Sequence, residues 1–254
     1  MTQSILQRLC NTPPPECVLV AGASGGIGQA ICLHLVEQFP SITLIRLARN
    51  TSKLLPLTVP TQDIMFDITD AVSVCDALEL LPGNVNIDWI FIATGWLHSD
   101  ILYPEKTWRN LEADHLLHAF TVNAIGPTLL VKQLLAKINP SHLTTIGILS
   151  ARVGSISDNQ IGGWHSYRAS KAALNMLIKN FAIELKRMKR PTIVVGLQPG
   201  TTDTPLSEPF KHHVSPNYLQ TPEFTASHLI DVMQHLTLED SGQLFDYTGV
   251  CFAP

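Results

Sequence analysis

The chain has 254 residues, of which 45% are apolar and 15% are charged, and its formal charge is −4 at neutral pH. That length predicts one large α/β domain with a substantial core, and the low charged fraction excludes an extensively disordered chain. A net negative charge without a lysine or arginine stripe argues against nucleic acid and anionic membranes as partners.

The sequence predicts neither a secretory signal at residues 1–10 nor a membrane-spanning helix. Residues 1–10 lack the basic start and long apolar run of a secretory signal, and no continuous run approaches the ~18 apolar residues of a membrane-spanning helix. The five cysteines are scattered and odd in number, which predicts free thiols and a cytoplasmic location. Histidines and cysteines show no metal-ligand spacing, so we predict no metal.

Short apolar runs alternate with longer helical patterns along the chain. After an N-terminal extension at 1–16, strands are predicted at 17–22, 42–47, 63–66, 88–93, 143–149, 192–197 and 242–247, and helices at 27–38, 71–80, 115–138, 167–188 and 221–236. This alternation predicts an α/β fold: a doubly wound, Rossmann-type parallel sheet between two layers of helices. No linker divides the pattern, so we predict a single domain over 1–254, with the irregular residues 201–222 as its substrate loop.

A glycine-rich turn joins the first strand to the first helix, where a dinucleotide site needs it. Gly22 permits the sharp turn, Gly26 leaves room for a pyrophosphate, and Gly28 lets helix and strand pack closely. Amides of the helix start would face the phosphates, which adds Ser24, Gly25 and Ile27 to the candidate cofactor residues. The spacing is GxxxGxG, and glycines also cluster in ordinary left-handed turns.

The end of the second strand favours NADP(H) over NAD(H). NAD sites place an acidic residue there to bind the ribose hydroxyls, whereas this chain has Arg49, which can bind an extra phosphate. The alternative for Arg49 is a solvated surface charge. Asp67, which is followed by Ile68 after the third strand, could accept a hydrogen bond from an adenine amino group, and its alternative is a cap of the next helix.

Tyr167 and Lys171 lie four residues apart in a helical stretch, so they project from one helix face. Ser150 ends the preceding strand, at the sheet edge where open α/β folds bind ligands. A nearby ammonium would stabilise a phenolate, so we expect Lys171 to lower the pKa of Tyr167. Tyr167 would then exchange a proton with a carbonyl or alcohol oxygen, and Ser150 would bind the developing oxyanion.

The segment from Ser150 to Asn175, together with the glycine turn, resembles the short-chain dehydrogenase/reductase superfamily and within it the C-factor-like subgroup. The resemblance covers nearly the whole chain. It implies seven parallel strands in the order 3-2-1-4-5-6-7 and assembly as a homodimer or homotetramer. It also implies that Asn123 is a fourth catalytic residue, which holds a water between the lysine and solvent; a helical asparagine that bonds its own turn is the local alternative. Further implied cofactor contacts are Ala93, Thr94, Gly95, Pro199, Gly200 and Thr202.

Two positions depart from the family pattern. Ala21 stands where the family usually has a threonine that opens the glycine motif, and Thr94 stands in the segment that this threonine hydroxyl normally contacts. We hypothesise that Thr94 supplies the missing hydroxyl from the opposite side, pointing toward Gly22.

These features predict an NADP(H)-dependent oxidoreductase acting on a carbonyl or secondary alcohol. The alternative is an NADP(H)-binding sensor or signalling protein with little turnover, against which the complete Asn123, Ser150, Tyr167 and Lys171 set argues. Mostly apolar candidates for the substrate wall suggest a moderately hydrophobic small molecule: Trp96, Leu97, Ile156, Trp164, His165 and Leu206.

Overall fold

One large sheet organises the computed structural model, which describes residues 3–10, 12–211, 215 and 218–254. Its strands in chain order are β1 Cys17–Ala21, β2 Thr43–Ala48, β3 Thr61–Met65, β4 Trp89–Ile92, β5 Thr144–Leu149, β6 Thr192–Gln198, β7 Thr201–Thr202, β8 Leu219–Gln220, β9 Leu244–Asp246 and β10 Cys251–Phe252. Of these ten strands, β7 and β8 form a separate two-stranded sheet and the other eight form the large one. Most strands of the large sheet are continuous apolar runs that are buried along their length, which suits a sheet covered on both faces.

The main sheet has the order β10-β9-β6-β5-β4-β1-β2-β3. Seven strands pair in parallel in the predicted order, and the prediction of seven strands is wrong by one because β10 adds an antiparallel edge strand. A tight turn at 247–250 joins β9 to β10 in a hairpin. Strand β10 has only two residues, so it does not show as a separate apolar run in the sequence. The order reverses between β1 and β4, so the crevice at their carboxyl ends is the expected ligand site.

Within the described residues, six α-helices flank the sheet: α1 Gly26–Gln38, α2 Ala71–Glu79, α3 Ala113–Phe120, α4 Gly126–Lys137, α5 His165–Arg187 and α6 Pro222–His235. One buried cluster joins α2, α4 and α5 to one face of the sheet, and a second joins α1 and α6 to the other. Alternate residues of a strand enter opposite clusters, as shown by Leu19 in the first and Val20 in the second. The three-layer prediction is confirmed.

The predicted helix at 115–138 contains an irregularity. A π turn over Thr121–Ile125 joins α3 to α4, and Asn123 lies at its centre. By length and composition the stretch Ala113–Lys137 could cross a membrane, with a mean hydropathy of 1.2 in its most apolar window, yet half of that window is buried inside the fold. Because Asn123 is fully buried there, the stretch is best described as a core helix.

The N-terminal extension and the predicted substrate loop both have local structure. Ile5 is buried in the second cluster, and Arg8 forms an ion pair with Asp240 at 2.7 Å. Residues 201–222 begin with β7 and contain β8, which pair in parallel. Residues 212–214, 216 and 217 of this loop lie outside the described residues.

Candidate active site

The glycine turn adopts a conformation that explains two of its glycines. Gly22 has φ +82°, and a Cβ there would lie 3.0 Å from the carbonyl carbon and oxygen of Ala93. A Cβ on Gly28 would overlap the carbonyl oxygen of Gly22, so helix α1 can approach β1 only without a side chain at that position.

Gly26 faces the loop that follows β7. A Cβ at Gly26 would lie 2.6 Å from Cγ2 of Thr204, so the threonine methyl fills the space above the glycine. The room that the sequence predicts for a pyrophosphate is therefore taken by Thr204 in this conformation. Thr204 was not among the predicted cofactor residues, and its signal would have been a third threonine in Thr201-Thr202-Asp203-Thr204.

A cleft of about 350 Å³ lies on one side of the glycine turn. It brings together many of the predicted cofactor residues: Gly22, Ser24, Gly25, Arg49, Asp67, Ile68, Ala93, Thr94 and Gly95. Lys53 also lines this cleft and was missed, although its position four residues after Arg49 was a readable signal. Arg49 and Lys53 are both exposed, so this end of the cleft presents two cations.

Asp67 organises the loop before α2. Its Oδ1 accepts hydrogen bonds from the backbone N–H and the hydroxyl of Thr69, at 2.9 and 2.7 Å. The Thr69 backbone bond is the main cause that lowers the pKa of Asp67, with a smaller effect from Arg49. The helix cap itself is Asp70, which accepts from the N–H of Val72, so the capping alternative for Asp67 is wrong.

The Thr94 hypothesis is not supported. The Oγ1 of Thr94 is buried and has no hydrogen-bond partner among the described residues, so it does not tie the fourth strand to Gly22. The backbone of Ala93 makes that connection instead, because its N–H donates to the carbonyl of Ala21 at 2.8 Å. A buried hydroxyl without a partner beside a cleft is a candidate contact for a polar ligand.

A second cavity of about 340 Å³ lies on the other side of the glycine turn. Predicted residues in its lining are Ile27, Ser150, Tyr167, Pro199, Gly200 and Thr202. The Thr202 hydroxyl is engaged with Thr225 at 2.9 Å. The cavity wall is mainly apolar and includes Leu97, Val153, Trp164, Leu206 and Phe210.

Tyr167 and Lys171 share one helix face, with the lysine Nζ 5.9 Å from the centre of the phenol ring. Burial lowers the pKa of Lys171 to about 8 and raises the pKa of Tyr167 to about 12. The expected lowering of the Tyr167 pKa is therefore wrong for this structure. Burial disfavours both charged forms, and the ammonium donates to the carbonyl of Leu149 at 2.8 Å.

Ser150 is held by Asn175, a residue outside the predicted catalytic set. Its hydroxyl lies 2.6 Å from Oδ1 of Asn175, and both residues are buried. Asn175 follows Lys171 by four residues, so Tyr167, Lys171 and Asn175 form one row on α5, a spacing that was visible in the sequence. The Nδ2 of Asn175 is buried without a partner among the described residues.

Asn123 connects the loop after β4 to α5. Its Oδ1 accepts from the N–H of Trp96 at 2.8 Å, and its Nδ2 donates to the carbonyl of Trp96 at 2.8 Å and to the Ser170 hydroxyl at 3.1 Å. Ser170 in turn donates to the carbonyl of Tyr167 at 2.8 Å. The alternative that Asn123 bonds its own turn is therefore wrong, and the implied water relay stays a prediction.

The predicted substrate wall is only partly assembled. Leu97, Trp164 and Leu206 line the second cavity, whereas Trp96 lines the first cleft. Ile156 and His165 lie at a separate surface depression, so their assignment to the wall is wrong. Phe210 also lines this cavity, with its ring centre 5.0 Å from that of Trp164, and the sequence did not predict it.

The fold places a glycine turn at the switch point of the sheet with a tyrosine–lysine pair beside it, an arrangement that is typical of a dinucleotide-binding oxidoreductase. The profile of the short chain dehydrogenase family matches residues 16–215. The chain belongs to this family and is an oxidoreductase of the type that acts on CH–OH and C=O groups.

Individual relatives agree with this assignment. The chain is 32% identical over 227 residues to 1-hydroxy-2-glutathionyl-2-methyl-3-butene dehydrogenase of Rhodococcus sp. strain AD45, covering 89% of this chain and 94% of that protein. It is 27% identical over 180 residues to C-signal of Myxococcus xanthus, covering 70% and 95%. The fold matches NADPH-bound carbonyl reductase from chicken fatty liver with a TM-score of 0.81 at 20% identity, covering 99% and 98%.

Proposed function

We propose that this chain reduces a carbonyl compound with NADPH, and that Tyr167 supplies the proton. The observation that carries this proposal is a neutral phenol at the wall of a mainly apolar cavity, beside Ser150 and next to the glycine turn. A pKa of about 12 keeps Tyr167 protonated at neutral pH, which suits a general acid that acts on a carbonyl oxygen.

The residues present fit a nicotinamide dinucleotide once the Thr204 side chain moves away from Gly26. Gly22 and Gly28 make a close backbone turn that side chains would block, and the buried Thr94 hydroxyl offers an unpaired polar contact in the adjoining cleft. Arg49 and Lys53 favour NADP(H), because two cations suit an added phosphate. A structural neighbour described as NADPH-bound supports the same choice. When bound, the nicotinamide supplies the hydride.

The remaining steps belong to the side chains of this protein. Tyr167 donates its proton to the substrate oxygen, and the cation of Lys171 stabilises the negative charge that develops on the phenol. In the structure the Ser150 hydroxyl donates to Oδ1 of Asn175. If the Asn175 amide rotates, its Nδ2, which has no partner among the described residues, donates to the serine oxygen instead. The Ser150 O–H is then free to donate a hydrogen bond to the substrate oxygen. These side chains are largely shielded from water, and this shielding strengthens each of their electrostatic interactions with the substrate oxygen.

A survey of carbonyl compounds tests the proposal. We expect saturable NADPH oxidation with aldehydes or ketones of moderate hydrophobicity, and at least about tenfold tighter binding of NADPH than of NADH, the scale of one good charge-assisted contact. Spectrophotometric turnover and fluorescence titration give the two quantities. Tight NADPH binding without turnover of any carbonyl would contradict the proposed reduction.

The rate of reduction is expected to depend on pH through Lys171. Its pKa is lowered to about 8, so the ammonium is present below that pH and is lost as the pH rises through it. Tyr167 stays protonated over the same range because its pKa is about 12. We expect kcat with saturating NADPH to be level on the acidic side and to fall as the pH rises through about 8. A kcat that is constant or rising across this range would exclude a role for the lysine charge.

A signalling role is the second candidate, favoured by the similarity to C-signal. Binding of NADP(H) without catalysis would distinguish this role from the reductase in the survey above.

We further propose a cytoplasmic location, supported by five free cysteines, and assembly as a homodimer or homotetramer.

A further inference from the structure

A buried polar cluster of Glu105, His115 and Ser166 lies beside the start of α5 and outside the proton-transfer set. Glu105 is 2% exposed and His115 is 5% exposed. The carboxylate of Glu105 accepts from the Ser166 hydroxyl and, at 3.2 Å, from the Ser166 N–H, and it lies 3.3 Å from Nδ1 of His115. Glu105 and Ser166 are 61 residues apart, so this contact ties the loop after β4 to α5.

The arrangement does not suit a nucleophile. An activated serine needs its hydroxyl bonded to a base that removes the proton, usually histidine. Here the Glu105 carboxylate lies between Ser166 and His115, and Ser166 is only 1% exposed. The cluster therefore has a structural role: it holds the loop after β4 against the start of α5.

The charge of Glu105 is well matched to its place. The carboxylate sits at the first turn of the 23-residue helix α5, where the free N–H groups and the helix dipole favour an anion. Burial alone would raise the pKa of Glu105, but the hydrogen bonds that its carboxylate accepts, chiefly from Ser166, together with a smaller effect of His115 outweigh burial, and the pKa is lowered. No other side chain caps this helix start among the described residues.

The same residue also holds Trp164. Trp164 has φ +49°, a left-handed conformation that is unfavourable for a bulky residue, and its N–H donates to the Glu105 carbonyl at 2.5 Å. The indole lines the second cavity, 6.3 Å from the ring centre of Tyr167. Glu105 thus contacts the residue directly before Tyr167 through its side chain, and the cavity wall through its backbone.

We propose that Glu105 is a positioning residue, whose buried carboxylate sets the first turn of α5 and thereby places the Tyr167 phenol and the Trp164 indole against the carbonyl substrate. This inference rests on the proposed reductase function. Glu105 lines neither cavity, so it acts through the residues that it contacts, chiefly Ser166 and Trp164.

Glu105→Gln tests the inference, since the amide keeps the shape and removes the charge. We expect kcat to fall by roughly ten- to a hundredfold, the scale of a small misplacement of catalytic groups, and KM for the carbonyl to rise because the indole shifts. The Kd for NADPH should stay close to the wild-type value. Glu105→Asp, which keeps the charge, should recover part of the loss. The exposed Glu112→Gln on the same loop is the matched control.

A second variant covers the case in which Glu105→Gln folds poorly. Ser166→Ala keeps the backbone N–H and should give a smaller loss of the same kind, and its effect should not add fully to that of Glu105→Gln. Wild-type kcat and KM in the glutamine variant would overturn the inference, as would a kcat loss that merely follows the folded fraction with KM unchanged. Absence of turnover in the wild type would instead reject the reductase function.

Discussion

Replacing Tyr167 by phenylalanine is expected to lower turnover by ~10²-fold or more, the scale of a lost general acid. The ring keeps its packing against Trp164, whose centre is 6.3 Å away, so the cavity should keep its shape. Only the hydroxyl that donates to the substrate oxygen is removed. Steady-state NADPH oxidation measures the effect, and thermal unfolding with an NADPH titration shows whether folding and cofactor binding are retained.

Tyr247→Phe is the matched control for that experiment. Tyr247 packs against Phe224 and His228 and lines neither cavity, so its variant should turn over like the wild type. Full activity in Tyr167→Phe would exclude the phenol as the proton donor. Equal losses in the two variants would point to a general effect of removing a tyrosine hydroxyl.

Gly28→Ala is expected to damage both stability and cofactor binding. Alanine is favoured over glycine in a helix by about 1 kcal/mol, so propensity alone predicts stabilisation. The added Cβ would overlap the carbonyl oxygen of Gly22, and relief requires α1 to move away from β1. We expect the free energy of unfolding to fall by about 1–3 kcal/mol, as in overpacked cores. The Kd for NADPH should rise at least about tenfold, because the turn that would hold the phosphates is displaced.

Gly83→Ala provides the contrast within the same chain. Apart from Gly83 and its two chain neighbours, no heavy atom of the described residues lies within 4 Å of a Cβ built at Gly83, and its φ is not positive. The variant should be neutral or gain about 0.4–1 kcal/mol from a less flexible unfolded chain. Denaturant unfolding and NADPH titration of both variants give the comparison. A Gly28→Ala protein as stable as Gly83→Ala would show that the close approach of helix and strand is not required.

Local pattern was sufficient to predict most of the sheet, because each parallel strand is a short apolar run between helical segments. It could not locate β10, a two-residue strand defined only by pairing with β9. The π turn was equally hidden, since Thr121–Ile125 reads as ordinary helix until Asn123 bonds to the backbone of Trp96.

For the site, the glycine turn and the tyrosine–lysine pair have fixed spacings along the chain, so they could be recognised before the fold was known. Lys53 and Asn175 also had such spacings and were overlooked. Glu105 and Phe210 had none, because their partners are distant in sequence. The pKa of Tyr167 was mispredicted because burial is a property of the tertiary structure, and it outweighs a lysine one helical turn away.

The two borders of the main sheet explain how such an apolar sheet avoids growing by adding further chains. On one side β3 is mostly exposed and carries Asp63, which pairs with Arg46. On the other side β10 has two residues and is followed by Ala253 and Pro254. Charge on one edge, and brevity with a proline two residues beyond the strand on the other, hinder the addition of a further strand, so fibril-like stacking at these edges is disfavoured.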